Sequence, residues 1–366
     1  MKKQVVIFSV IVWLFGFCSA ASAQGLIINY LCTDIRQVPS AWIDSAKTLF
    51  KMTYGHTSHG SQVVTGMEIL MNHDSLFDFF NDHYHYRFGG SNPLAPEGDL
   101  SLWDYIPGGD LGNPDRVTWA ARTRTMLTNS DGAYAVYPHF RNLVMWSWCG
   151  QAGTATAADI DTYLTLMTDL ETDFPDVTFV YMTGHLDGTG ETGNLNQRNE
   201  QIRQHCITNN KVLFDFADIE SYDPDGSYFL DRGANDNCAY VGGNWAQEWC
   251  AAHPGDPLCE TCSCAHSQPL NCNLKARAFW WMLAKLAGWE SNVPQEAVIR
   301  TDGTNLTLRW SPVVGATSYK VYSSSDPAGD FIEDLSGSYG DLEWTTSVSD
   351  SCKYYYVAAI IESYSP

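Results

Sequence analysis

Apolar residues follow two alternating patterns between positions 24 and 288. Asn142-Leu143-Val144-Met145-Trp146 and Val177-Thr178-Phe179-Val180-Tyr181-Met182 are nearly unbroken apolar runs rich in β-branched and aromatic residues, which predict buried strands. Lys211-Val212-Leu213-Phe214-Asp215-Phe216 predicts another strand, and 49–54 a weaker first one. Between them the spacing turns helical. Ile160, Tyr163, Leu164, Met167 and Leu170 predict a helix over 156–170. Positions 63–72 and 199–208 are helix-compatible. Phe279, Trp280, Leu283 and Leu286 share one face of a helix over 275–286, with Gly288 as its stop. Buried strands alternating with helices predict an α/β unit built on a doubly wound, mostly parallel sheet. A site in such a sheet lies at the carboxyl ends of the strands.

Beyond 291–294 the pattern changes. Asn305-Leu306-Thr307-Leu308-Arg309-Trp310 alternates with period two, Gly315-Ala316-Thr317 marks a turn, and Ser318-Tyr319-Lys320-Val321-Tyr322 alternates again. Tyr354-Tyr355-Tyr356-Val357-Ala358 adds another strand. Short strands separated by turns predict a β-sandwich. Leu308-Arg309-Trp310-Ser311-Pro312 together with 315–322 resembles a fibronectin type III module over 294–366. That resemblance implies a spacer or binding unit without chemistry of its own.

Lys2 and Lys3, an apolar run over 5–17 and the small residues Ala21-Ser22-Ala23 read as a secretory signal cleaved near Ala23. The expected units are a signal peptide (1–23), an α/β domain (24–291) and a sandwich (294–366). Phe15-Gly16-Phe17 is poor context for lipidation at Cys18, which is the lesser alternative. No other apolar run is long enough to cross a bilayer. Export makes disulfides the default for the ten cysteines that follow Cys18. Seven lie between Cys206 and Cys272, and most of them are expected to pair, with Cys149 free. A metal knuckle, Cys259-x-x-Cys262-x-Cys264, is the rival reading. The net charge of −21 argues against nucleic acid or an anionic membrane as partner. Of the 13 Trp and 19 Tyr, most belong to cores, and some could stack on sugars.

One segment carries the chemistry. Tyr54-Gly55-His56-Thr57-Ser58-His59-Gly60-Ser61 joins an apolar run to a helix-compatible one. A serine on such a strand-to-helix turn is exposed as a nucleophile, and backbone N–H groups of the turn can hold an oxyanion. The polar residues at later strand ends are Trp148-Cys149-Gly150-Gln151, then Thr183-Gly184-His185-Leu186-Asp187-Gly188, then Asp218 and Glu220. Cys264-Ala265-His266-Ser267 stands just before the last helix.

A nucleophile near the start and a histidine before the closing helix is the order of the SGNH (GDSL-type) hydrolases, which the large domain resembles. Gly55-His56-Thr57-Ser58-His59-Gly60 is similar to a family variant of form Gly-His-x-Ser-x-Gly. The resemblance implies a flavodoxin-like α/β fold, Ser58 as nucleophile and His266 as base. It places the oxyanion donors at the N–H of Ser58, at Gly112 in Leu111-Gly112-Asn113-Pro114-Asp115, and at Gln151. Two departures stand out. Gln151 takes the place of the family's asparagine, and Ser263 stands where an aspartate would orient His266. The implied activity is secreted hydrolysis of an ester, with acetyl groups on a polysaccharide as one candidate and no cofactor.

Substrate-binding candidates are His56, His59, Asn113, Trp148, His185 and Asp187. His83 and His85 read as surface, and Asp215 and Asp218 as caps. Two other classes stay open. His56, His59, His185 and His266, with Asp187, could bind a divalent metal in a metal-dependent hydrolase. A hydrolase-like fold could also serve as a non-catalytic carbohydrate-binding protein.

Overall fold

The computed structural model describes residues 25–80, 95–128, 141–289, 297–310, 312–313, 316–325, 331–348 and 353–361. The leader over 1–23, the junction over 291–294, and His83 and His85 lie outside the described residues.

The elements run β1 (Ile27–Ile28), α1 (Ser40–Leu49), β2 (Lys51–Gly55), α2 (Ser61–His73), β3 (Phe79–Phe80), β4 (Leu100–Asp104) and α3 (Thr118–Leu127). They continue with β5 (Leu143–Trp146), α4 (Ala157–Asp173), β6 (Thr178–Met182), α5 (Asn194–Thr208), β7 (Val212–Phe214) and α6 (Phe216–Ile219). A small hairpin of β8 (Ala239–Tyr240) and β9 (Gly243–Asn244), then α7 (Trp245–Ala252) and α8 (Pro269–Leu286), complete the unit. The sheet has seven strands in the order β1-β7-β6-β5-β2-β4-β3. Every neighbouring pair is parallel.

Alternation along each strand divides the interior into two cores. In β5, Leu143 and Met145 enter one core with Val63 and Met67 of α2 and Phe279, Trp280 and Leu283 of α8. Val144 and Trp146 enter the other with Trp119 of α3, Ile160 and Met167 of α4, and Ile202 of α5. Burial on both faces explains why these runs read as nearly unbroken apolar stretches. The start of α4 is fixed by a capping box: Thr156 Oγ1 accepts from the Asp159 N–H, and the Thr156 N–H donates to Asp159. On the first face α2 and α8 approach closely at Gly66, where an added Cβ would lie 2.1 Å from the Cys272 carbonyl oxygen.

After β2 the chain builds β3 and β4 on one side, then crosses back to β5 on the other. The carboxyl ends of β2 and β5 therefore flank a topological switch point, where such sheets open a crevice.

Among the described residues two disulfides form, Cys250–Cys259 and Cys264–Cys272. Four of the seven clustered cysteines are thus paired. More thiols stay free than the even count implied: Cys32, Cys149, Cys206, Cys238 and Cys262. Cys206 and Cys238 cannot meet because they sit in different cores. Pairing also takes Cys259 and Cys264 out of the alternative metal knuckle.

The C-terminal segment forms separate antiparallel sheets. β10 (Ala297–Thr301), β11 (Asn305–Trp310), β14 (Ser338–Gly340) and β15 (Glu343–Ser347) make one, in the order β10-β11-β15-β14. β12 (Ala316–Ser324), β13 (Ile332–Glu333) and β16 (Tyr354–Ile361) make the other, in the order β13-β12-β16. Leu308, Trp310 and Trp344 of the first sheet cluster with Val321 and Val357 of the second.

Candidate active site

Gly55 and Trp146 are register partners at the ends of β2 and β5, so residues 56–60 and 147–151 leave the sheet side by side. Gly60 makes the turn between β2 and α2 possible. A Cβ there would fall 2.2 Å from Ser147 Oγ and 2.4 Å from His56 Cβ. The turn is closed by Ser61 Oγ, which donates to the Ser58 carbonyl at 2.7 Å. Ser58 is left half-buried at the carboxyl edge.

His266 Nε2 lies 2.9 Å from Ser58 Oγ, across 208 positions of sequence. His266 holds a left-handed backbone conformation, φ 62°, which a non-glycine residue adopts at a cost of about 1–3 kcal/mol. Its surroundings impose that conformation. The Cys264–Cys272 bridge ties the loop to α8, and Gln62 Nε2 donates to the Ala265 carbonyl at 2.5 Å.

Gln62 belongs to a buried polar network beneath the site. Lys275 Nζ donates to Gln62 Oε1 and to Glu220 Oε1, and all three side chains are fully buried. Glu220 also accepts from the Leu186 N–H at 2.7 Å. One ammonium group thus links the first turn of α2, the His266 loop and the loop that carries His185.

A second constellation touches the first. His59 Nδ1 is 3.0 Å from Cys149 Sγ, and His59 Nε2 is 3.0 Å from Asp236 Oδ2. Cys149 Sγ is also 3.4 Å from Ser58 Oγ. The hydrogen bond with His59 is the main reason the Cys149 thiol is brought down to about 5, against the opposing effect of burial. Burial works against a charged His59, but the bonds to Asp236 and Cys149 outweigh it and raise the ring to about 9. Asp236 is held below its usual range: burial opposes its charge, and the His59 hydrogen bond, the nearby His185 and His59 rings and the Asn237 N–H together outweigh it. The His59 ring is sandwiched between His185, 3.9 Å away and 6° from parallel, and His266, 4.4 Å away and 15° from parallel.

The other expected site residues divide. Gly112, at φ 98°, packs against Gln151, and its loop is held by the Leu111 N–H donating to the Ser147 carbonyl and by Thr57 Oγ1 donating to Asp110. Asn113 is exposed on the same loop. His185 Nδ1 bonds the Leu186 carbonyl at 2.7 Å, while its Nε2 is buried with no hydrogen-bond partner among the described residues.

Two expectations, His56 and Trp148, are corrected. His56 is buried, with Nε2 2.7 Å from Asp104 Oδ1 and Nδ1 3.0 Å from the Thr57 carbonyl, so both ring nitrogens serve the turn. Trp148 faces the core, packs edge-on against Tyr163 and donates to the Met182 carbonyl. Gln151 Oε1 accepts from the Cys149 N–H at 3.2 Å, so its oxygen braces the turn. Asp187 caps its own turn by accepting from the Thr189 N–H and hydroxyl.

The metal set also changes. His56 is engaged with Asp104, so the four histidines do not converge. Among the described residues, the histidine-containing group whose donor atoms come within 4.8 Å of one another is His59, Asp236 and His266. Imidazole lone pairs lie in the ring plane. Two rings stacked nearly parallel direct theirs side by side, which does not suit a shared tetrahedral ion.

Asp236 and the partnership of Cys149 with His59 had no signal in the spacing of the motifs. Only Cys149's place at a strand end pointed toward the site. No protein-family model, curated protein or solved structure matches the chain.

Proposed function

We propose that the chain is an exported serine esterase of SGNH type whose C-terminal sheets form a fibronectin type III-like sandwich. The observation that carries this reading is the 2.9 Å approach of His266 Nε2 to Ser58 Oγ at the carboxyl edge of a parallel sheet. Support for export comes from the two disulfides, which persist in oxidising compartments. Among the described residues no helix is long and apolar enough to cross a membrane.

In the proposed reaction Ser58 Oγ attacks the ester carbonyl while His266 Nε2 takes its proton. The tetrahedral oxyanion is held by the Ser58 N–H, at the entry to α2, and by the Gly112 N–H. The C–O bond breaks, and His266 returns the proton to the leaving alcohol. Water then attacks the acyl-serine, giving its proton to His266, and the acid departs. His266 works as the partner in a dyad. The nearby acid, Asp236, is bonded to His59. Small acyl groups such as acetyl on a neutral polysaccharide are the proposed substrates, in keeping with the strongly acidic chain.

Purified protein should hydrolyse short-chain aryl esters and release acetate from acetylated polysaccharide. A serine-directed phosphonate should label Ser58. Full turnover in Ser58→Ala, with loss of activity on chelation, would overturn this reading in favour of metal-dependent hydrolysis. A folded protein with neither turnover nor label would favour a binding module.

A further inference from the structure

Cys149, His59 and Asp236 are not needed by the serine reaction, yet they form a complete nucleophile–base–acid series. We propose that Cys149 is a second nucleophile of this site, activated by His59 and positioned through Asp236, which accepts acyl groups from esters or thioesters as an acyl-cysteine.

The geometry is that of an activated thiol. One ring nitrogen of His59 meets the sulfur at 3.0 Å, and the other meets a carboxylate at 3.0 Å. Asp236 fixes the ring so that Nδ1 faces the sulfur and stabilises its charged form. Asp236 is itself fixed, since its N–H donates to the Leu186 carbonyl at 3.0 Å. Stacking between His185 and His266 prevents the ring from turning out of plane. The sulfur is half-buried and lies 3.4 Å from Ser58 Oγ, so a carbonyl presented to one nucleophile is within reach of the other.

The other free thiols among the described residues provide a contrast. Burial raises Cys32 and Cys238 to about 12, Cys262 to about 11, and Cys206 higher still. Cys149 alone among them is shifted toward the thiolate, which is the reactive form.

The proposed step balances without an added oxidant or reductant. The Cys149 thiolate attacks the carbonyl carbon and a C–S bond forms. The C–O bond of an ester breaks, and His59 gives its Nδ1 proton to the departing alkoxide. A thioester substrate loses a thiolate in the same way. Water then attacks the acyl-cysteine and passes a proton to His59. The C–S bond breaks, which restores thiolate and imidazolium.

The test uses the full chain with its disulfides intact. Ser58→Ala and Ser58→Ala/Cys149→Ala are incubated with an aryl acetate at neutral pH, and peptides are mapped by mass spectrometry. The expected result is a hydroxylamine-labile acetyl group on Cys149 of the first variant, absent from the second. Asp236→Asn in the Ser58→Ala background should lower the acylation rate by about tenfold or more. Unmodified protein is also treated with iodoacetamide near pH 6. There Cys149 should react roughly tenfold faster than an ordinary thiol, because a larger thiolate fraction outweighs the lower nucleophilicity of a low-pKa sulfur. The groups that set this profile are His59, Asp236, His185, His266, Asp110 and Glu220.

Acetylation of Ser58 in the unmodified protein, with no acylation of Cys149 in folded Ser58→Ala, would overturn the second nucleophile and leave the serine reading intact. Acylation of Cys149 with none on Ser58 would support the second nucleophile and remove the serine reading. Alkylation of Cys149 no faster than Cys262 at pH 6 would overturn the proposal even if a variant failed to fold.

Discussion

Replacing Lys275 by methionine should destabilise the α/β unit strongly and disorder the site above it. Methionine nearly preserves the length and volume of the side chain, so little cavity forms. The ammonium is lost, and with it the donor to Glu220 and Gln62. Glu220 has no exposed surface, and its remaining protein donors are the Leu186 N–H at 2.7 Å and Asn271 Nδ2 at 3.4 Å. Removing one partner of such a buried pair costs about 3–5 kcal/mol, because an uncompensated charge stays behind. Loss of the cation–π contact with Phe216, whose ring centre is 3.5 Å from Nζ, adds to the cost. At about 2–4 °C per kcal/mol, the melting temperature should fall by roughly 6–20 °C. Far-ultraviolet helix ellipticity follows this transition, because the C-terminal sheets contribute little to that signal. The double variant Lys275→Met/Glu220→Gln should recover most of the loss, since no charge is then left buried. A fall below about 1 kcal/mol in the single variant would refute this account of the network, as would a double variant less stable than the single one. Esterase activity at a temperature where both variants are folded should drop in the single and recover in the double.

Ser58→Ala and His266→Ala should each reduce turnover on aryl esters by about 10³-fold or more, with a melting temperature close to the parent's; steady-state kinetics and a thermal scan check both halves. Gly66→Ala should cost about 1–3 kcal/mol in denaturant unfolding, because the methyl would meet the Cys272 carbonyl and push α2 from α8. The Cys149–His59 pair should make stability depend on pH in two directions. The thiol is lowered to about 5, chiefly by the His59 hydrogen bond, so its contribution disappears as pH falls through that value. Burial opposes a charged His59, but the bonds to Asp236 and Cys149 outweigh it and raise the ring to about 9, so its contribution disappears as pH rises through that value. Comparing Cys149→Ser with the parent across pH 4–10 by denaturant unfolding should show the difference greatest between those limits.

The large unit's layering was legible in the chain because it depends on local pattern. A run such as Leu143-Val144-Met145-Trp146 can be apolar at every position only if both faces are covered, and two cores cover them. The helical spacing of Ile160, Tyr163, Leu164 and Met167 likewise needs no distant information. The two-residue strands β1 and β3 are too short to show a period, and β4 was missed as well. The placing of Ser58 and His266 could be anticipated from the order of polar segments at strand ends, and the two side chains meet at 2.9 Å. What only the tertiary structure decided is the direction each polar side chain takes. His56 and His59 stand three residues apart on one turn, yet the first turns into the protein toward Asp104 and the second toward Cys149 and Asp236. Trp148 and Cys149 are neighbours, but one enters a core and the other the site. Asp236 reaches His59 across 177 positions. No local spacing encodes such a contact, because it exists only once separate loops have been carried to the same edge of the sheet.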